Sequence, residues 1–414
     1  MPANGSLILP GDKSISHRSV MLAALSSQRS KIANISNGED VRSTISCLID
    51  CGIKIDFSKE NLFVTGGTFE QPASDLDCGN SGTTMRLLIG LLAGQGINAN
   101  FIGDKSLSNR PMDRIIEPLK RMGLNIKSNN LKPPIRISKS ELKGIDYNMP
   151  IPSAQVKSSI LLAALGAKSE TKITEKVTSR DHSEIMFKNI DVNIISKDRS
   201  IKVSPCDKFS PLNIHIPADP STAAFFIGAA VLMPGSKLRV INLLLNDTRI
   251  GFLKALEKMG CSFNYYNVHE ENGEKVGDIE VIHHKLSGIN INSSDIPSII
   301  DELPMLALIA TQAEGVTKVS GAEELRVKES DRINAICKNL KEVGSDIVEK
   351  SDGFIINGAT QLKPGNIDTF NDHRIAMTFH IASIVSGEKI ILNNTDCVDI
   401  SFPDFYKTLK SVIR

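Results

Sequence analysis

Apolar and polar positions along the 414 residues follow a pattern that recurs about every seventy positions. In five places a run with helical apolar spacing ends in glycine or aspartate and passes into a short strand-like run: LIDCGIKI, LKRMGLNI, FKNIDVNI, LEKMGCSF and LKEVGSDI. Aligned without gaps, these put Gly52, Gly123, Asp191, Gly260 and Gly344 in one column, and subtracting neighbours gives spacings of 71, 68, 69 and 84. A helix closed by one left-handed residue accounts for the glycine, and aspartate is among the few side chains that tolerate that conformation. A sixth copy, FPDFYKTLKSVIR, stops where its strand should begin.

A second column lies between these helices. PGDKSISHRSVMLAAL, CGNSGTTMRLLIGLLA, IPSAQVKSSILLAAL, IPADPSTAAFFIGAAVL, IDELPMLALIATQA and FNDHRIAMTFHIASIV each open on small, polar or charged residues and continue as aliphatic helices with no polar face. Such helices belong in a core. With short β-branched runs such as IRI, IEVI and KIILNN between them, the pattern predicts an α/β protein of six repeated units, three per domain. A solenoid and a doubly wound sheet are the alternatives; the first uses a shorter repeat and the second rarely spaces buried helices so evenly. The strand-like GSLIL at the start lacks its helix and the last helix lacks its strand, which predicts that the two pair. The first domain would run over residues 13–216, and the second would combine 1–12 with 217–414, with chain crossings near 10–13 and 216–220.

Composition narrows the function classes. With 41% apolar and 23% charged residues and a net charge of +1, the chain has no basic excess for nucleic acid. Seven cysteines without paired metal-type spacing fit a reducing compartment, and Cys47 and Cys51 read as core thiols. No basic stretch followed by a long apolar run is present, so a cytoplasmic location is expected. His17, His182 and His373 stand singly in separate units, without the i, i+4 pair of a helical zinc site, so no metal is expected.

The polar turns hold the chemistry. LPGDKSISHR places Lys13, Ser14 and Arg18 at a helix start, where unpaired N–H groups and the dipole favour an anion. GNSGTTMR and GDKSLSNRPMDR add close backbone approach at Gly82 and the cation Arg110. PSAQVK and SRDHS add Ser153, Gln155, Ser179 and Arg180. The densest run, EELRVKESDR, holds Lys328, Glu329 and Arg332, and also reads as a salt-bridged helix start. IDELP and NDHR contribute Asp301 and Arg374. So many cations at helix starts predict two small anionic ligands held in a cleft between the domains, with an open empty protein that ligands close. No GxxxxGK[ST] or GxGxxG occurs, which argues against a nucleotide.

LPGDKSISHR, GNSGTTMR, SLSNRPM, SAQVKSS, SRDHSE, RVKESDR and NDHRIAM, in this order along the whole chain, resemble the motifs of the 5-enolpyruvylshikimate-3-phosphate synthase family. The resemblance implies the enolpyruvyl-transferase fold, an inverse α/β barrel of two domains. It also implies transfer of the enolpyruvyl group of phosphoenolpyruvate to the 5-hydroxyl of shikimate 3-phosphate, in the shikimate pathway of aromatic amino acid and chorismate biosynthesis. By motif, Lys13, Ser14, Arg18, Ser153, Ala154, Gln155, Ser179, Arg180, Asp301 and Lys328 are expected to bind shikimate 3-phosphate. Lys13, Gly82, Arg110, Gln155, Arg332 and Arg374 are expected to bind phosphoenolpyruvate. Asp301 is the candidate base, and Glu329 and Lys13 are the candidates for protonating the methylene carbon. No cofactor is implied, and a monomer is.

The chain also departs from the family pattern. Ile400 replaces a lysine, Ala154 a serine, and Leu87 a proline found in other members. These choices resemble the branch less sensitive to glyphosate, although Gly82 leaves room for that inhibitor. The rivals are UDP-N-acetylglucosamine enolpyruvyl transferase, which normally has a reactive loop cysteine, and a non-catalytic scaffold for phosphorylated ligands.

Overall fold

Six apolar helices, each entered through a polar turn, recur through the computed structural model, which describes residues 2–58 and 61–413. They are α1 (Lys13–Ala23), α2 (Gly82–Gly94), α3 (Ala154–Ala164), α4 (Pro220–Leu232), α5 (Leu303–Thr311) and α6 (His373–Ser386). Five of the six starts, all but that of α5, are set by short polar side chains that take up otherwise unpaired backbone N–H groups. Asp12 accepts from the Ile15 amide at 2.8 Å, Ser81 from Thr84 at 3.1 Å and Asp372 from Arg374 at 3.0 Å. Nearly every later position is buried; in α1 the buried run extends without a break from Ile15 to Ala23.

Around the first five of these helices the chain repeats one plan. In the second unit, strand Leu76–Asp77 leads into α2, and Ala99–Ile102 returns parallel to it. The outer helix Asp113–Arg121 and the hairpin Asn125–Asn129 with Lys132–Ser138 then extend the sheet in the antiparallel sense. Lys132–Ser138 alternates exposed and buried residues, as a sheet packed on one face requires. The residues that close the outer helices, Gly52, Gly123, Asp191, Gly260 and Gly344, have φ of +82°, +99°, +62°, +101° and +86°. The column seen in the sequence is thus a column of left-handed turns.

The chain divides into two compact units, residues 11–216 and residues 1–10 with 217–414. The strand preceding α1, β1 (Asn4–Ile8), lies parallel to β2 (Lys237–Leu244), the strand that follows α4. Reciprocally, Asn213–His215, which precedes α4, lies parallel to Ser30–Ala33, which follows α1. Two strands have therefore exchanged partners between the first and fourth repeats. The N-terminal strand does lie against the last helix, as expected, while its ladder hydrogen bonds go to the fourth repeat. β1 completes the four-stranded sheet of the fourth repeat, while the sixth keeps a two-stranded sheet, Gly365–Ile367 with Ile390–Leu392. The chain end meets β1 through packing of the last helix, Phe405–Val412, and through an antiparallel bridge from Ala3 to Ile413. Phe405 of the last helix packs edge-on against Phe225 and Phe226 of α4, with ring centres 6.0 and 5.8 Å apart. Among the described residues, no helix is long and apolar enough to cross a membrane.

Candidate functional site

The unit of residues 11–216 brings together two groups of the expected residues. The first lies at the start of α1. Lys13 pairs with Asp40 at 2.7 Å, Asp40 being in the first turn of the outer helix Glu39–Asp50. Arg18, one turn on, is 4% exposed and spends its donors locally. Nε donates to Ser183 at 2.9 Å, Nη1 to the Ser14 carbonyl at 2.9 Å and Nη2 to Ser158 at 2.7 Å. Arg180 reaches the same turn, donating to Ser14 Oγ at 3.3 Å. Ser153 caps α3 by accepting from the Val156 amide, and the Ala154 carbonyl accepts from Ser158 at 2.6 Å. The Ser179 hydroxyl donates to buried Glu175, so a phosphate oxygen would compete with that carboxylate for its proton.

His17 lies beneath this turn, fully buried, with Nδ1 2.7 Å from Thr44 Oγ1, itself 2.7 Å from Thr84 Oγ1. Burial, then the charges of Lys13 and Arg18, hold the imidazole well below its usual range. It therefore adds no further positive charge between two cations.

The second group gathers at the start of α2. Gln155 accepts from Arg86 Nη1 at 2.9 Å and donates to Thr83 Oγ1 at 2.8 Å. Arg110, 8% exposed, donates to Asn80 Oδ1 at 2.7 Å. A Cβ placed on Gly82 would stand 2.5 Å from Arg86 Nη1 and 3.3 Å from Arg110 Nη1, so the glycine admits both guanidinium groups to the helix N-terminus. Gly82, Arg110 and Gln155 are thus neighbours, joined by Arg86.

In the other unit Asp301 is the centre of the expected set. Its carboxylate lies 3.7 Å from Lys328 Nζ, 3.6 Å from Arg332 Nη1 and 3.9 Å from Arg374 Nη2, and its carbonyl accepts from Arg374 Nη1 at 3.0 Å. Glu329 meets Arg332 at 2.6 Å. Asp372 takes Nε and Nη2 of the same arginine at 2.7 and 3.2 Å, a bidentate pair with both partners at most 1% exposed. Burial pushes the Asp372 carboxyl up, but the charges of Arg332 and His373 together with the hydrogen bond from Arg332 hold the group below the usual carboxylate range. Lys328, Arg332 and Arg374 thus face Asp301, Glu329 and Asp372 in a balanced set. In the unit of residues 11–216, Lys13, Arg18, Arg86, Arg110 and Arg180 stand at or beside the starts of α1, α2 and α3, with the buried Asp40 carboxylate paired to Lys13. Arg326, from the same charged run, is instead bound to Asp331 and Glu349 at 2.8 and 3.0 Å and fastens the helix start to a hairpin.

Arg86, Asp40, Ser158 and Ser183 had no expected role. Arg86 and Ser158 belong to quoted motifs, and their helical spacing from Gly82 and Ala154 was the available signal. Asp40 gave none, since an acid in a first helical turn is ordinary. Burial pushes the Cys51, Cys261 and Cys337 thiols up to about 12, which keeps these three out of thiolate chemistry near neutrality.

Known proteins resemble the chain along nearly its full length. The family described as EPSP synthase (3-phosphoshikimate 1-carboxyvinyltransferase) matches residues 1–409. Proteins named 3-phosphoshikimate 1-carboxyvinyltransferase from Thermodesulfovibrio yellowstonii and Oceanobacillus iheyensis are 45% and 41% identical, over 98% and 99% of this chain and 96% and 97% of their own. Among solved structures, an EPSP synthase from Acinetobacter baumannii aligns with a TM-score of 0.87 at 37% identity, covering 99% of this chain and 96% of its own. The enolpyruvyl transferase NikO from Streptomyces tendae shares the fold, with a TM-score of 0.81 at 15% identity, over 99% of this chain and 95% of its own.

Proposed function

Since the chain belongs to the EPSP synthase family, we propose that its two sets of charged residues act on one pair of substrates. The enzyme transfers the enolpyruvyl group of phosphoenolpyruvate to the 5-hydroxyl of shikimate 3-phosphate, a step of the shikimate pathway. In our reading Lys13, Ser14, Arg18, Ser153, Ala154, Ser179 and Arg180 receive shikimate 3-phosphate, and Asp301 and Lys328 meet its ring hydroxyls. Gly82, Arg110, Arg332 and Arg374 receive phosphoenolpyruvate, with Gln155 and Lys13 serving both. Arg86 joins the phosphoenolpyruvate group through its bond to Gln155.

The observation that carries this reading is the Asp301 carboxylate among Lys328, Arg332 and Arg374, with Glu329 beside it. A scaffold that merely holds phosphate has no use for carboxylates there, because they repel the ligand. An addition and elimination does. Asp301 takes the proton of the 5-hydroxyl as that oxygen bonds to the central carbon of phosphoenolpyruvate. Glu329 or Lys13 gives a proton to the methylene carbon, and the tetrahedral adduct then loses a proton from that methyl group and expels phosphate. Positive groups nearby stabilise the charge that develops.

Phosphate release from shikimate 3-phosphate and phosphoenolpyruvate, measured for the wild type, Lys13→Ala and Asp301→Ala, tests the reading. Each variant should lose about 10²–10⁴-fold in kcat, the usual contribution of a positioned acid or base. Activity unaffected by both changes overturns it. Wild-type turnover of a UDP-linked amino sugar in place of shikimate 3-phosphate would favour the sister activity. We further take the enzyme to be a cytoplasmic monomer needing no metal or cofactor; sedimentation and assay after chelation check the last two statements.

A further inference from the structure

Lys157 is out of keeping with the apolar helix that carries it. It lies on the second turn of α3 and is 0% exposed. Nζ is 3.0 Å from Glu175 Oε2 and 2.7 Å from Glu184 Oε1, and also donates to the Ser179 carbonyl at 3.4 Å. Three donors thus meet three acceptors. Glu175 turns its other oxygen on the same serine, accepting from the Ser179 amide at 3.2 Å and from its hydroxyl. Every polar group of Ser179 is therefore held by the Lys157–Glu175 pair. Glu184 sits in the short helix His182–Lys188 beside Ser183, whose hydroxyl receives Arg18 and lies 2.7 Å from Ser158 Oγ.

Removing three charges from water to fill a core is unfavourable unless geometry and hydrogen bonds compensate, and apolar residues of similar volume often do as well or better. Glu184 bears that cost visibly. Its Oε2 is buried without a hydrogen-bond partner, and burial raises its carboxyl above the usual range against the pull of Lys157. Stability is a poor account of such a node. What sets these three positions apart is what they are joined to: the loop carrying Ser179 and Arg180, the helix carrying Ser183, and α3, which carries Ser158. Through Ser183 and Ser158 they register against Arg18, and through Arg180 against Ser14.

We propose that Lys157, Glu175 and Glu184 form a buried positioning node, which sets the Ser179–Arg180 loop and Ser183 against α1 and so fixes the geometry in which Arg18 and Arg180 receive the phosphate of shikimate 3-phosphate. The inference rests on the assignment of those arginines to that substrate. The three residues act through others, each being nearly completely buried. A single carboxylate oxygen that accepts both the amide and the hydroxyl of Ser179 admits one loop conformation, where an apolar seat would admit several.

Steady-state kinetics of the full chain test it, using two charge-neutral triple variants so that no unpaired charge is left buried. Lys157→Met/Glu175→Gln/Glu184→Gln keeps an acceptor for Ser179; Lys157→Met/Glu175→Leu/Glu184→Gln removes it. The Leu-containing triple should raise KM for shikimate 3-phosphate about 10- to 100-fold, with KM for phosphoenolpyruvate within about 2-fold of wild type; the Gln-containing triple should recover to within about 3-fold. Equal, wild-type-like KM values in both triples, while Arg180→Ala raises that KM, overturn the node and leave the site reading standing. If Arg180→Ala also leaves it unchanged, the site reading has failed and the node with it. Equal loss in both triples, or failure of both to fold, overturns the proposal by showing that the charges serve the fold alone.

Discussion

Arg332 is enclosed by three carboxylates, and its dependence on Asp372 can be measured. Asp372→Asn leaves a buried guanidinium short of its bidentate partner, which should cost about 3–5 kcal/mol at pH 7, read from urea unfolding. The sign of its pH dependence follows from the lowered carboxyl. The folded value lies below the unfolded one of about 3.9, so the stabilisation is fully present above the unfolded value and is lost as pH falls through the folded one. The gap between wild type and variant should therefore be flat near neutrality and narrow only below about pH 4. His17 works in a different window. Its folded value lies well below 6.5, so between the two values only the unfolded chain takes up the proton, and stability rises with pH. His17→Gln should flatten this slope, which is at most about 1.4 kcal/mol per pH unit for one proton, in unfolding midpoints compared between pH 5 and 7. Gly82→Ala should displace Arg86 from Gln155 and raise KM for phosphoenolpyruvate several-fold with little change in unfolding temperature. At this scale the placing of Lys13, Arg332 and Arg374 at helix starts was legible, because a polar turn before an apolar run marks where a helix begins. Their counter-charges were less so: Asp372 does cap α6, as its position indicated, but its second bond reaches Arg332 across 40 residues.

Between elements, closeness of approach matters more than charge. A Cβ on Gly90 of α2 would stand 2.1 Å from the Ser159 carbonyl oxygen of α3, a backbone atom that cannot step aside. Gly90→Ala should therefore push the helices apart, costing about 1–3 kcal/mol of overpacking in thermal or urea unfolding. The same shift should weaken phosphoenolpyruvate binding, since α2 carries Arg86 and α3 carries Gln155. The helices and their left-handed ends were readable because each leaves a local mark: an all-apolar run, or a glycine at a fixed offset. Strand partners leave none. Asn4–Ile8 and Asn213–His215 precede equivalent helices, and nothing within either strand says that they exchange sheets.

On the scale of the molecule, that exchange means the unit holding Asp301 is assembled from both ends of the chain. Ala3 and Ile413 are bridged, so a short linker joining residues 413 and 2, with new ends cut between Pro10 and Gly11, should give a circular permutant in which each unit is one continuous segment. The permutant should fold, seen as a cooperative unfolding transition, but turn over more slowly, because the cut frees the strand leading to Lys13. Synthesis on the ribosome imposes an order as well. The segment 11–216 is complete once its own last strand emerges, but the Ala3 amide must wait for a hydroxyl 233 residues later, at Ser236, and β1 for the strand just after it. At about 5–20 residues per second the wait is roughly 10 to 50 s, with the strand Asn4–Ile8, Leu7 and Ile8 included, unpaired meanwhile. The first segment translated thus finds its place only after more than half of the chain has been made, and it stays an unpaired strand until then.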